Sequence, residues 1–246
     1  MSRTQSSGGD PKVWSKEEVT QYEMMQSIFI PKKDEMLDMI VSMIPFDKNK
    51  PLKIMEIGVG LGALTERVFK KFSDSHFLCL DGSDDMISNA KVRLAMFEGK
   101  IEFKKINFNS SAWLDDINGK FDLVCSSLTL HYLATKRRGA FFREVLGALK
   151  KNGIFIYSSG VTANSDFVQN IFYRIHREYL KVRLFEIMGQ KFSDEDIDKE
   201  FKSREAKLGI NLMTCEKNLE FLRKAKFSKT ELVWKHEHYA IFMGVK

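Results

Sequence analysis

An apolar run, Leu52 to Ile57, gives way to three glycines within five residues, Gly58, Gly60 and Gly62, and helix-forming residues follow from Ala63. A short apolar run bounded by glycines reads as a buried strand. The chain thus passes from a strand through a tight loop to a helix N-terminus. Three glycines permit positive φ and let a ligand approach the backbone closely, at an entropic cost that an ordinary loop avoids. The free N–H groups and the dipole at the helix start favour an anionic group by about 0.3–1 kcal/mol. Glu56, two residues before the first glycine, suits a cation or a hydroxyl instead.

The strand–helix alternation continues downstream. A second strand, His76 to Leu80, ends in Asp81-Gly82, and Ser83 or Asp84 caps a helix carrying Met86, Ile87, Ala90 and Leu94 at helical spacing. A third, Lys100 to Ile106, ends in Asn107-Phe108, and a fourth, Phe121 to Cys125, ends in Ser126-Ser127. Helical pieces over Leu128 to Leu133 and Lys136 to Leu149 lead to a turn at Lys151-Asn152-Gly153 and a fifth strand, Ile154 to Ser158. Such alternation predicts an α/β fold, a doubly wound parallel sheet with helices on both faces. Ligands of such sheets bind beyond the carboxyl ends of the strands, so the strand-ending residues are the candidates for function.

The flanks are organised differently. Residues 1–12 read as a polar, disordered tail, and residues 13–48 as two helices, with Pro31 restarting and Pro45 ending the second. Residues 163–225 read as a helical insertion, in which Phe167, Ile171, Phe172, Ile175, Tyr179, Val182 and Phe185 form one broad apolar face. Residues 227–246 read as two strands, Phe227 to Trp234 and His238 to Val245, joined by Lys235-His236-Glu237. Together, residues 13–246 are expected to form a single domain.

Composition narrows the classes. The net charge is +6, but basic and acidic residues interleave along the chain, and the densest basic cluster is only Lys136, Arg137 and Arg138. A nucleic-acid binder concentrates positive charge on one face or tail, so nucleic acid is not the expected partner. Three widely separated cysteines, Cys79, Cys125 and Cys215, follow no metal-binding spacing; no metal is expected, and a reducing, cytoplasmic setting is. The polar N-terminus lacks the apolar core of a secretion signal, and no stretch approaches the ~20 apolar residues of a membrane span.

Two ligand classes fit the glycine loop. Gly58-Val59-Gly60-Leu61-Gly62-Ala63 satisfies the dinucleotide pattern G-x-G-x-x-G/A, with Asp81 at about the spacing of the ribose-binding acid. That acid equally suits any adenosine ligand. The wider pattern, however, resembles the class I S-adenosylmethionine-dependent methyltransferases. Glu56 to Gly62, Leu80-Asp81-Gly82-Ser83 with Met86, Asn107-Phe108, Phe121-Asp122-Leu123-Val124 with His131-Tyr132, and Leu149 to Phe155 are similar to that family's successive motifs, in order. The resemblance covers about residues 50–160, and the closing strands resemble the family's terminal hairpin.

It implies a Rossmann-like, mostly parallel seven-stranded sheet and S-adenosylmethionine as cofactor. Gly58 and Gly60 would approach the amino-acid tail, Glu56 its ammonium, and Ser126 the tail or the methyl group. Asp81, beside Gly82, would accept both ribose hydroxyls, a charge-assisted pairing. Met86 and Phe108 would sandwich the adenine, and Asn107 would bond its polar edge. Tyr22 would close over the cofactor carboxylate, as tyrosines do in some relatives. His131 is the candidate base for the acceptor.

The acceptor is less constrained. No Asn-Pro-Pro-Tyr sequence follows the fourth strand, which argues against adenine or glutamine methylation, and the aromatic, Met-rich flanks suit a cap over a small molecule. The alternatives are an RNA or protein acceptor, or an enzyme like the carboxy-S-adenosylmethionine synthases, which the helical insertion resembles. A nicotinamide oxidoreductase and a non-catalytic scaffold remain outside the family reading.

Overall fold

A computed structural model describes residue 26 and residues 28–246, so Tyr22 and most of the expected first helix lie outside the described residues. The strands are β1 (Lys53–Ile57), β2 (His76–Asp81), β3 (Ile101–Lys105), β4 (Phe121–Ser127), β5 (Leu149–Thr162), β6 (Met213–Thr214), β7 (Ser228–His236) and β8 (Tyr239–Val245). Their order is β3-β2-β1-β4-β5-β8-β7, with β6 alongside β5. Strands β1 to β5 pair in parallel, and β8 runs antiparallel to both β5 and β7.

The order reverses between β1 and β4, where successive crossovers leave for opposite faces. Register then brings the strand ends level, since Ile57 pairs with Leu80 on one side and Ser126 on the other. The glycine loop, Asp81 and Ser127 therefore emerge side by side at the switch point, the expected ligand position of such a sheet.

The sheet has eight strands rather than the expected seven. Strand β5 runs beyond Ser158 to Thr162, and its end pairs in parallel with Met213-Thr214. Two residues show no periodicity, so β6 leaves no pattern in sequence. Strand β5 also starts earlier, at Leu149. The expected turn is a bulge within it: Phe121 pairs with Leu149, the next ladder pair is Leu123 with Ile154, and Asn152 takes φ 62°.

Alternation along the strands divides the core in two. Met55, Ile57, Leu80, Val124, Phe155 and Tyr157 pack on one side with Phe141, Phe142 and Val145 of α4 (Thr135–Ala148) and Leu222 of α7 (Cys215–Lys224). Ile54, Cys79, Leu123, Cys125 and Ile156 pack on the other with α1 (Lys33–Ser42), α2 (Ala63–Lys71) and α3 (Asp84–Arg93). Each fully buried side chain of this size contributes roughly 1.5–3 kcal/mol. Glu56 occupies an inward position between these apolar neighbours, with 1% of its surface exposed.

Two helices complete the insertion, α5 (Asp166–Met188) and α6 (Asp194–Leu208). Ser165 caps α5 by accepting from the Val168 N–H (3.4 Å), and Gly189, at φ 67°, ends it. Arg177 ties α5 to α6 by bonding Asp194 and Asp198. Ile28 and Phe29 pack with Leu180 and Ile197. None of the helices among the described residues is long and apolar enough to cross a membrane.

Candidate cofactor site

The loop between β1 and α2 is held tightly against its neighbours. The N–H groups of Gly58 and Val59 both donate to the Leu80 carbonyl (2.8 and 2.9 Å), which bends the chain off the sheet. At Gly58, with φ 73°, a Cβ would fall 2.0 Å from the Thr129 hydroxyl oxygen, so only glycine fits. Gly60 also has positive φ, but nothing lies within 4 Å of its missing Cβ. That open side belongs to a cavity of about 330 Å³. Gly62 is the N-cap of helix α2 and supplies no side-chain cap, and the first residues of the helix, Ala63 and Leu64, line the same cavity. Its first N–H groups are thereby left for an anionic ligand.

Two acids share the wall with these glycines. Glu56 accepts from the Thr65 hydroxyl, and burial, with a smaller contribution from Asp81, pushes its carboxyl up to about 8. The two oxygens of Asp81 accept from the Gly60 N–H (2.9 Å) and the Ser83 N–H (3.0 Å). Burial raises its pKa despite these bonds. Neither acid is ion-paired with any described residue. An unpaired, shielded carboxyl is costly, so the wall is poised for a ligand bringing positive charge and hydroxyl donors.

Gly82, Met86 and Phe108 continue the wall. Of the expected cofactor residues, the structure thus brings together Glu56, Gly58, Gly60, Asp81, Gly82, Met86 and Phe108. It keeps two others away. Ser126 is buried and donates to the Ile57 carbonyl (2.7 Å), while the next residue, Ser127, lines the cavity. Asn107 is spent on an Asx turn, its Oδ1 accepting from the Asn109 N–H (2.9 Å). Asn109 takes its place on the wall, with its own buried Oδ1 unpartnered.

His131 departs most from expectation. Its ring is buried and absent from the cavity wall, which is formed instead by Leu130 and Tyr132 on either side. Its Nδ1 accepts from the Gly160 N–H (3.3 Å), and burial, aided by the nearby Arg138 guanidinium, holds its pKa down to about 3. The neutral ring therefore carries its proton on Nε2, and its one lone pair is already engaged. It has no acceptor capacity left for a substrate proton.

The far wall comes from a part of the chain that motif reading did not reach. Gly209 and Asn211, between α6 and β6, line the cavity opposite the strand ends. The Asn211 N–H donates to the His131 carbonyl (2.7 Å), and its carbonyl accepts from Arg138. Arg138 is 1% exposed, so the densest basic cluster of the sequence is not a surface patch; Arg137 within it pairs with Glu144. Leu128 takes φ 52°, unusual for a bulky residue, and turns the chain from β4 towards Thr129 and the glycine loop.

Known proteins resemble this chain in sequence and in fold. A family model described as a methyltransferase domain matches residues 55–155. A carboxy-S-adenosyl-L-methionine synthase of Nautilia profundicola is 25% identical over 218 residues, covering 88% of this chain and 87% of that protein. A malonyl-[acyl-carrier protein] O-methyltransferase of Acetivibrio thermocellus is 26% identical over 149 residues, 61% of this chain and 47% of that protein. Human N-acetylserotonin methyltransferase, solved in complex with SAM, superposes with a TM-score of 0.59 at 14% identity, over 94% of this chain and 56% of that one. The chain thus spans little more than half of that solved protein, and at this identity the likeness establishes the fold. Motif order, sheet order and relatives agree: residues 55–155 are a methyltransferase domain of the class I, S-adenosylmethionine-dependent kind, with S-adenosylmethionine as its cofactor.

Proposed function

We propose that the protein methylates a small-molecule acceptor in the cavity between the strand ends and the Gly209–Asn211 segment. The observation that carries the reading is the pair of shielded, unpaired acids, Glu56 and Asp81, on one wall. Glu56 takes the cofactor ammonium, and Asp81 takes the ribose hydroxyls. The free N–H groups of α2 meet the carboxylate. Met86 and Phe108 hold the adenine, and the orphaned Oδ1 of Asn109, rather than Asn107, accepts from its amino group.

The cofactor supplies a methyl group already activated on a sulfonium, so the chain's task is to hold the acceptor in line. Leu130, Tyr132 and Leu133 from the β4 side and Gly209 and Asn211 from the insertion shape that end of the cavity. With the lone pair of His131 engaged, the site favours an acceptor atom that is nucleophilic without a base to take its proton, such as a carboxylate or an amine bound in its neutral form. Titration calorimetry with S-adenosylhomocysteine and NAD tests the first half of the reading; binding of NAD alone would overturn it. Coupled detection of S-adenosylhomocysteine across carboxylate and amine acceptors tests the second, and turnover only on RNA or protein would refute it.

One observation favours a second reading. The carboxy-S-adenosyl-L-methionine synthase of N. profundicola matches this chain through its helical insertion, whereas the O-methyltransferase match stops at 61% of the chain. On that reading the cofactor is itself modified. Mass spectrometry of the nucleoside products distinguishes the two: a carboxylated S-adenosylmethionine supports the second, and S-adenosylhomocysteine supports the first.

A further inference from the structure

Helix α5 wears its apolar residues on the wrong side. Its buried face, marked by Gln169, His176 and Leu180, meets the rest of the domain. At about 100° per residue, Val168, Ile171, Ile175, Val182 and Phe185 lie roughly 100–160° around the helix from that face. That face is open: Ile175 is 44% exposed, Val182 57% and Phe185 49%, and Phe167 beside them is 76% exposed. Amphipathic helices of a free monomer turn such residues inward, and contiguous exposed apolar patches mark interaction surfaces.

We propose that this stripe is the interface of a twofold dimer, α5 packing antiparallel on α5 of a second copy. The spacing of Val168, Ile171, Ile175, Glu178, Val182 and Phe185 runs three, four, three, four, three, which is the seam of a heptad pattern and reads the same in both directions. Laid antiparallel about its centre, it sets Val168 against Phe185, Ile171 against Val182, and Ile175 against Glu178 of the second copy. Each contact occurs twice, as an isologous interface requires.

Charge supports the same register. Glu178 accepts from Lys181 of its own helix (3.1 Å) yet remains 63% exposed. Arg174, exposed on the flank of the seam, forms no ion pair with any described residue, and the antiparallel register brings it beside Glu178 of the second copy. A polar residue at one seam position is a device that fixes register. The acid at the middle of the stripe disfavours burial in a lipid surface. Ile28 and Phe29 pack with Leu180 on the buried face of the helix and leave the stripe open. A single helix pair is a small interface, below ~1,200 Å², so association is expected in the micromolar range.

Light scattering coupled to gel filtration of the full chain, over a concentration series, tests this. The wild type should approach twice the 28.5 kDa of the chain. Ile175→Glu should remain a monomer at the same concentrations, with its affinity for S-adenosylhomocysteine unchanged. Arg174→Glu should weaken association roughly two- to thirty-fold, the effect of two exposed ion pairs, and Arg174→Glu with Glu178→Arg should restore it. The exchange keeps the test intact if Ile175→Glu fails to fold. A wild type that stays monomeric at high micromolar concentration overturns the proposal, as does a dimer that survives both single substitutions. Monomeric protein that dimerises only when residues 1–25 are removed, or that instead binds anionic vesicles through this stripe, overturns it too.

Discussion

Replacing Asp81 with asparagine keeps the volume of the side chain and removes its charge and one acceptor. In the structure one carboxylate oxygen accepts from Gly60 N–H at 2.9 Å and the other from Ser83 N–H at 3.0 Å. Whichever way the amide turns, its NH₂ group confronts a donor, and one bond to a charged acceptor, about 1.5–3 kcal/mol, is lost. In the ligand-free chain this loss is partly offset, because the shielded carboxylate that Asp81 presents is itself costly. A net loss of about 1 kcal/mol lowers Tm by roughly 2–4 °C in a domain of this size. Bound cofactor has no such compensation: its ribose hydroxyls lose one of two charged acceptors. Affinity for S-adenosylhomocysteine should fall about 10- to 150-fold. Calorimetry on the folded variant, paired with thermal unfolding, separates the two effects. A folded Asp81→Asn protein binding within about threefold of wild type would show that the ribose does not lie on Asp81.

Three further outcomes follow from the same geometry. Glu56 is raised from its ordinary 4.5 to about 8, so the folded, ligand-free chain holds a proton that the unfolded chain has released; the stability this contributes is full below about 4.5 and is lost as pH rises through 8. A bound ammonium lowers that pKa, so binding near pH 7 should expel up to about one proton and tighten with pH until about 8; heats that do not vary with buffer ionisation enthalpy, or a pH dependence that persists in Glu56→Gln, would refute the pairing. Gly58→Ala should prevent correct folding, because its Cβ would lie 2.0 Å from the Thr129 hydroxyl. Gly60→Ala meets nothing and bears only the left-handed cost of about 1–2 kcal/mol, or roughly 2–8 °C in Tm; equal losses would contradict the loop geometry. His131→Asn, which keeps an acceptor for Gly160 N–H, should lower Tm by a few degrees and leave kcat within about tenfold. A loss of kcat beyond about a hundredfold at unchanged Tm would reinstate His131 as the base.

What could be read in advance depended on how local each determinant is. Glu56, Asp81 and the glycines were legible because a strand end is a fixed place, and an apolar run meeting Gly or Asp marks it. One residue further, the reading slipped. Successive strand residues face opposite sides, so Ser126 turns into the sheet and Ser127 into the cavity, a difference that no residue type announces. Asn107 and Asn109 are alike in composition, and only the Asx turn between them decides which is free. His131 lies in a short 3₁₀ turn whose orientation is set by Gly160, twenty-nine residues on. Asn211 reaches the cavity through bonds to His131 and Arg138, partners that no local pattern names.

Helix α5 shows the deepest limit. Periodicity gave one broad apolar face containing Phe167, Ile171, Phe172, Ile175, Tyr179, Val182 and Phe185, without saying what it meets. Yet the side facing the domain carries Gln169, which bonds Thr162 and the Ala163 N–H, and His176, which reaches Glu237. These polar contacts reach specific partners on the sheet and hairpin and share the inner face with Leu180, which packs against Ile28 and Phe29. A stripe of apolar residues at helical spacing says that a helix has something to bury; it does not say against what. In a chain that functions alone the two questions have one answer. Here they have two, and the residues left outside by the fold of one copy are the ones whose spacing matches a second.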